Sequence, residues 1–171
     1  PEILSFIDNP EGVVKFIDKL KRKFDEKKKV FVVLNDVKTL SYDAIVVLLS
    51  IMVKFKSNNI DFNGDFPQDK DAKRVLEQSQ FLKYLYQRFK EEDRYNLGQE
   101  SAIHTHAWKD VDAELGSQLI LQASKTIWGE ERRCQGVQRT LIELMLNTNN
   151  HADSSKKGEK HWWISVYHNK K

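Results

Sequence analysis

The feature that most constrains the fold is a run of five apolar residues, 30–34, followed shortly by a helix-length segment that is apolar almost throughout. A strand that is apolar at every position is typical of a sheet covered on both faces. Residues 45–55 contain too many apolar side chains for a surface helix, so we expect them to pack on that sheet. A parallel sheet with helical crossovers is the natural host for such a pair.

The flanking residues predict where the neighbouring elements begin and end. Asn9 can cap a helix that starts at Pro10 and runs to about Asp25, because Asn accepts hydrogen bonds from free amides and Pro is tolerated in the first turn. Ser41 is predicted to cap the apolar helix. Residues 58–59 end that helix, 60–62 form a second strand, Gly64 and Pro67 mark its exit loop, and Asp69 or Asp71 opens a third helix. Strands and helices thus alternate, which predicts an α/β unit with right-handed crossovers.

Composition narrows the class of protein. With 40% hydrophobic and 31% charged residues, the chain is typical of a soluble globular protein. The longest apolar run, 44–53, is broken by Ser50 and falls short of the ~20 residues of a membrane-spanning helix. We therefore expect no membrane partner. The single cysteine, Cys134, has no internal partner for a disulfide, which favours a reducing, cytoplasmic setting.

The lysine-rich stretch 19–29 raises the question of nucleic-acid binding. The net charge is only +3, however, and Phe16, Leu20 and Phe24 follow one another at four-residue intervals. This spacing indicates an amphipathic helix whose lysines form the solvated face. We expect no nucleic-acid partner.

The segment from Val30 through Leu40 to Ile45, followed by a long helix, resembles a STAS domain, the fold of anti-sigma-factor antagonists. The resemblance covers residues 1–95 and implies an α/β sandwich that binds a protein partner. The family's phosphorylatable serine lies in an Asp-Ser-Ser-Gly motif, but Tyr42 and Asp43 occupy the serine positions here. A serine-phosphorylation cycle is therefore not expected, and Ser41 is assigned to helix capping.

Residues 90–98 are charged and end in Asn-Leu-Gly, which predicts a junction between residues 1–95 and 96–171. Helical periodicity returns from Asp110 and is interrupted by Gly129. A second helix is predicted from about Glu130 to His151, and residues 160–168 have strand composition. His104 and His106 alternate as in some metal sites, but without a third ligand nearby they indicate an ordinary strand.

The second helix carries an unusual polar stripe. At about 100° per residue, Glu143, Asn147 and Asn150 fall on one side, with His151 beside them. The apolar side chains Val137, Leu141, Leu144 and Met145 are expected on the opposite side. A solvated helix face would explain the stripe, but Asn is a poor helix former, and a helix selected only for stability would use Glu, Lys or Gln there.

Residues 141–152 resemble the N-box of GHKL ATPases, Glu-x-x-x-Asn-Ala-x-x-His, with Thr148 in place of the usual Ala. The resemblance implies that Asn147 offers its side-chain oxygen to Mg²⁺ and that Glu143 orients or deprotonates the water attacking the γ-phosphate of ATP. It places Asn150 and His151 near the phosphates or the lid. Residues 96–171 would then be an incomplete GHKL-type α/β segment of helices plus one strand.

The adenine-binding Asp-x-Gly-x-Gly motif and the glycine-rich lid of that family do not occur in these 171 residues. We therefore expect a fragment of a regulatory or signalling protein that neither binds ATP tightly nor hydrolyses it, although the full-length protein could be a GHKL ATPase or protein kinase. The alternative is a non-enzymatic interaction module without nucleotide chemistry. Exposed apolar residues, among them Trp162, Trp163 and Ile164, could also support a homodimer.

Overall fold

The computed structural model of the chain describes residues 1–86, 103–106, 111, 113–151 and 162–165. The chain divides into two compact units, Pro1–Ile103 and His104–Lys171, each mixing helices with strands. This composition agrees with the predicted α/β class. The predicted junction between residues 95 and 96 lies outside the described residues.

The first unit contains the predicted strand–helix–strand–helix order over residues 30–78, and a further short strand lies in the predicted loop before the apolar helix. Its described elements are β1 (Ile3–Leu4), α1 (Pro10–Asp25), β2 (Val30–Val32), β3 (Thr39–Leu40), α2 (Tyr42–Ser57), β4 (Phe62–Gly64), α3 (Lys70–Gln78) and α4 (Phe81–Tyr86).

The strands of the first unit pair in two parallel ribbons. β1 pairs with β3, and β2 pairs with β4 in a register that sets Val32 opposite Gly64. Parallel pairing agrees with the predicted α/β unit, because parallel strands must be joined by crossover connections such as the helices predicted here. The strand predicted over residues 60–62 is β4, and it begins at Phe62 rather than at Ile60. Asn59 adopts a positive φ of 55°, and the Ile60 amide donates to the Phe55 carbonyl oxygen at the end of α2, so Ile60 still belongs to the helix terminus.

The start of α1 confirms the predicted cap. The Asn9 Oδ1 atom accepts a hydrogen bond from the Gly12 amide at 3.1 Å, and its Nδ2 donates to the Ile3 carbonyl oxygen at 2.9 Å. The cap therefore also joins the helix to β1. Farther along, the Phe24 ring meets the Phe55 ring of α2 edge-on, with 5.3 Å between centroids, so the aromatic side of α1 faces the core.

One prediction about β2 is wrong. Val30 and Val32 are buried, but Phe31 and Val33 are 59% and 52% exposed, so the strand is covered on one face rather than two. Because successive side chains of a strand point to opposite faces, an apolar run alone does not show that both faces are covered. The core lies on the Val32 side, beneath α2.

The apolar helix α2 forms the centre of the first core, as predicted. Ile45, Leu49 and Phe55 are essentially inaccessible to solvent. At the end of the unit, the Asp69 carboxylate caps α3 by accepting hydrogen bonds from the Asp71 and Ala72 amides, each at 2.9 Å. Of the two predicted openings for this helix, Asp69 is the one observed.

The second unit contains β5 (Ile103–His106, which begins at the boundary residue), α5 (Ala113–Trp128), α6 (Gln135–His151) and β6 (Trp162–Ser165). β5 and β6 form a two-stranded sheet. The predicted strand at His104 and His106 is thus present, while their side chains lie outside the described set. No described helix has the length and apolar character needed to cross a membrane.

Candidate functional site

The helix bearing the polar stripe, α6, starts later than the sequence predicts. It begins at Gln135 instead of Glu130. The Arg132 amide donates to the buried Ser124 hydroxyl at 2.8 Å, and the Arg132 side chain pairs with Glu130 at 2.7 Å. These contacts satisfy polar groups of residues 130–134 outside a helix, which explains the later start.

The buried side of α6 faces α5. Met145 is buried together with Leu115 and Leu119 of α5, and Leu141 packs against this cluster. A Cβ placed on Gly116 would lie 3.8 Å from the Leu141 side chain, in ordinary contact, so the two helices approach closely there. This packing determines which side of α6 remains accessible to a ligand.

The polar stripe lies on the opposite side. Glu143, Asn147 and Asn150 are all exposed, and the 100° step places them across the helix from Met145. The helix therefore holds a carboxylate and two carboxamides on one accessible strip. His151 ends α6, but its side chain lies outside the described residues.

Two apolar positions of α6 do not lie where the sequence analysis places them. Val137 and Leu144 are 57% and 59% exposed, although they were expected in the core. Both stand roughly 80–100° around the helix from Met145, at the margin of the buried strip. The buried strip is narrow because α5 covers only the side centred on Met145.

Thr148 stands where the N-box pattern usually has Ala. Its Oγ1 donates to the Leu144 carbonyl oxygen at 3.0 Å, one turn earlier in the same helix. Since the hydroxyl is satisfied by the helix itself, Thr is accommodated at this position without a further partner.

The strand after α6 contributes to the same core. Ile164 of β6 is half-buried and packs against the cluster of Leu115, Leu119 and Met145. The backbone of residues 162–163 belongs to β6, but the side chains of Trp162 and Trp163 are outside the described set, as is any position beyond residue 165. Homodimerisation through these residues stays a prediction.

The exposed strip of α6 carries oxygen donors of two kinds, the Glu143 carboxylate and the carboxamides of Asn147 and Asn150. Within the described part of the chain, no group of three His, Cys, Asp or Glu side chains could hold a metal ion. Magnesium commonly takes one or two protein oxygens and completes its octahedron with water and phosphate. The Asn147 carboxamide oxygen and the Glu143 carboxylate are hard oxygen donors that fit this requirement.

Ser41 does not make the capping hydrogen bond predicted for it. Ser41 occupies the N-cap position of α2, but its side chain caps no amide. The hydroxyl instead donates to the Asp43 carboxylate and also lies 3.3 Å from the Leu4 carbonyl oxygen. Asp43 accepts from the Ala44 amide at 2.8 Å and from the Phe6 amide at 3.1 Å. A carboxylate therefore supplies the acceptors at this helix start.

Asp65, which follows β4, was not among the predicted site residues. Its Oδ1 accepts hydrogen bonds from the Leu34 amide at 2.5 Å and the Asn35 amide at 3.1 Å. The carboxylate thereby joins the loops at the carboxyl ends of β2 and β4. The available signal was an Asp in the exit loop of the predicted strand 60–62, near the carboxyl end where such sheets commonly bind ligands.

Comparisons with protein-family models, curated proteins and solved structures found no match to this chain.

Proposed function

We propose that this chain belongs to a cytoplasmic regulatory or signalling protein in which a STAS-like module precedes the magnesium-nucleotide helix of a GHKL-type ATPase. The carrying observation is that α6 displays Glu143, Asn147 and Asn150 on one accessible strip, opposite the buried Met145. The first unit would bind a protein partner, and nucleotide state would change that pairing.

In this proposal each polar side chain has a defined part. Asn147 holds Mg²⁺ through its carboxamide oxygen, Glu143 orients or deprotonates the attacking water, and Asn150 and His151 stand near the phosphates or the lid. The magnesium–ATP complex, when bound, supplies the phosphoryl group and the charge neutralisation for its transfer. The 171 residues contain no Asp-x-Gly-x-Gly motif to select adenine, so we expect weak ATP binding and no hydrolysis by this chain alone.

The test uses Mn²⁺–ATP as a paramagnetic probe of the 171-residue chain. Amide signals of residues 143–150 should broaden as Mn²⁺–ATP is added, and Asn147→Ala should abolish the broadening. Glu114→Gln changes an exposed carboxylate of α5 and serves as the matched control, which should broaden like the unmodified chain. Equal broadening in the Asn147→Ala chain would refute the metal role, and calorimetry showing a micromolar dissociation constant for ATP would refute the expected weak binding.

A second candidate function is an interaction module without nucleotide chemistry. The observation favouring it is the uncovered apolar face at β2, where Phe31 and Val33, the residue after the strand, lie exposed. Under this hypothesis Mn²⁺–ATP leaves α6 unaffected, and a Phe31→Ser substitution weakens partner binding while Asn147→Ala does not.

A further inference from the structure

An apolar cavity of about 210 Å³ lies in the first unit between the β2–β4 pair and the helices α2, α3 and α4. Its walls include the buried side chains Leu48, Met52 and Leu85. An engineered cavity of about 150 Å³ with a similar apolar lining binds benzene. The space here is therefore large enough for a substituted single ring or a small fused ring.

The cavity is reached from one edge that is both apolar and accessible. Phe66, Leu82 and Tyr86 contribute to its lining and are 44%, 44% and 63% exposed. The side chains at this mouth can move without unpacking the core, and Met52, whose unbranched side chain adapts its shape, forms part of the wall. A ligand can thus enter without disrupting α2.

The position of the cavity matches where α/β proteins bind ligands. Val32 and Gly64 are the last residues of β2 and β4, and both line it. In open parallel sheets, ligands commonly bind outside the carboxyl ends of the strands. The loops that follow these two strands are joined there by the Asp65 carboxylate.

Two charges lie near this site: Asp65 in its lining, and Lys56 beside its wall, where Lys56 Nζ donates to the Leu85 carbonyl oxygen at 2.8 Å and stands 5.8 Å from the Tyr86 ring centroid. Among the described residues lining the cavity, Asp65 is the one with a charged side chain. Its Oδ1 is engaged by two backbone amides, and no ion pair neutralises it within the described residues. A half-buried carboxylate beside an apolar space favours a cation with an apolar body.

From these observations we propose that the cavity binds a small aromatic amine, with the ring among Leu48, Met52 and Leu85 and the ammonium group near Asp65. This site lies in the first unit and does not depend on the nucleotide chemistry proposed for α6. It would make the first unit a sensor of a small molecule.

The chain contains two methionines, which makes the test direct. Met52 lines the cavity, whereas Met145 lies in the core of the second unit. With ¹³C-methyl methionine labelling, tryptamine should shift the Met52 signal saturably, with a dissociation constant below about 1 mM. The Met145 signal should stay in place. Indole-3-acetate, which has the same ring but a negative charge, should bind about tenfold more weakly.

Asp65→Asn tests the carboxylate, because the Asn oxygen can still accept from both backbone amides. In this variant tryptamine and indole-3-acetate should bind within about twofold of each other. Asp61→Asn removes an exposed carboxylate that does not line the cavity, and it should preserve the difference. About 0.5 M NaCl should narrow the difference in the unmodified chain, which tests the charge effect without a substitution.

Three results would overturn the proposal. One is an unmoved Met52 signal with tryptamine at about 10 mM, which would exclude binding at any useful affinity. Another is a parallel shift of Met52 and Met145, which would indicate a nonspecific effect. The third is equal binding of tryptamine and indole-3-acetate by the unmodified chain, which would remove the role of Asp65.

Discussion

Single polar side chains connect separate helices and strands of this chain. Asn9 does so with both of its side-chain atoms, because the oxygen caps α1 and the nitrogen donates to the Ile3 carbonyl oxygen of β1. We expect Asn9→Ala to lower the free energy of unfolding by about 1–2 kcal/mol. Asn9→Asp keeps the cap acceptor but loses the donor, so its loss should be smaller. Urea denaturation measures both, and equal losses would show that the cap acceptor contributes nothing.

An exposed ion pair offers a second prediction at this scale. Lys28 donates to the Glu26 carboxylate at 3.0 Å, and this hydrogen bond and charge, helped by Lys23 at 3.6 Å, lower the pKa of Glu26 below its usual range. A lowered folded-state pKa means that the pair stabilises the fold above the unfolded pKa and loses this effect as pH falls through the folded pKa.

Because Lys28 is the larger cause, Lys28→Ala should raise the Glu26 pKa more than Lys23→Ala. Carboxyl ¹³C chemical shifts followed over an acid titration give both values. If Lys23→Ala produced the larger rise, the assignment of the shift to Lys28 would be wrong. The Glu26 side chain is exposed to solvent, so solvent and salt screen the pair, and its effect should shrink at high ionic strength.

Among the elements, the β2–β4 ribbon depends on close backbone approach. A Cβ added to Gly64 would lie 2.8 Å from the Val32 carbonyl oxygen, a contact with backbone that only a shift of the strand can relieve. Gly64→Ala should therefore destabilise the protein by about 1–3 kcal/mol.

Gly136, in the first turn of α6, has nothing within 4 Å of an added Cβ and provides the matched control. Gly136→Ala should stabilise by about 0.5–1 kcal/mol, since Ala favours the helix. Thermal unfolding of the two variants should thus move in opposite directions. A neutral Gly64→Ala would show that the ribbon has room to adjust.

Elements defined by local chemistry could be predicted from the sequence, while those defined by distant contacts could not. The Asn9 cap and the extent of α1 follow from neighbouring residues alone. The one-sided cover of β2 does not follow from neighbouring residues. Phe31 and Val33 are apolar residue types that are usually buried, and only the packing decides their exposure. The start of α6 was missed because Ser124, eight residues earlier, binds the Arg132 amide.

For the candidate site, too, features set by local geometry could be predicted from the sequence, and features set by distant contacts could not. The spacing of Glu143, Asn147 and Asn150 was enough to place them on one side of a helix, because helical geometry is local. The exposure of Val137 and Leu144 depends on how much of α6 is covered by α5, which the periodicity of α6 cannot specify. Asp65 was missed for a related reason, since its partners lie about thirty residues earlier, in the loop that follows β2.

At the scale of the whole molecule, the described residues place very different amounts of buried apolar surface in the two units. Among the described residues, the first unit has a large core around Ile45, Leu49 and Phe55, whereas the second unit buries Leu115, Leu119 and Met145. Since local opening free energies follow buried apolar contacts, amides of α5 and α6 should exchange with deuterium faster than those of α2.

Paired substitutions in the two cores test this difference in full. Met145→Ala should cost about 2–5 kcal/mol and speed exchange in α5 and α6, because its side chain joins these helices. Leu49→Ala, at a position with no exposure, should have a similar cost but act on α2. Hydrogen–deuterium exchange followed by mass spectrometry locates both effects. If the amides of α6 were as strongly protected from exchange as those of α2 in the unmodified chain, the prediction would be wrong. The buried cluster that stabilises α6 would then have to include more residues than Leu115, Leu119 and Met145.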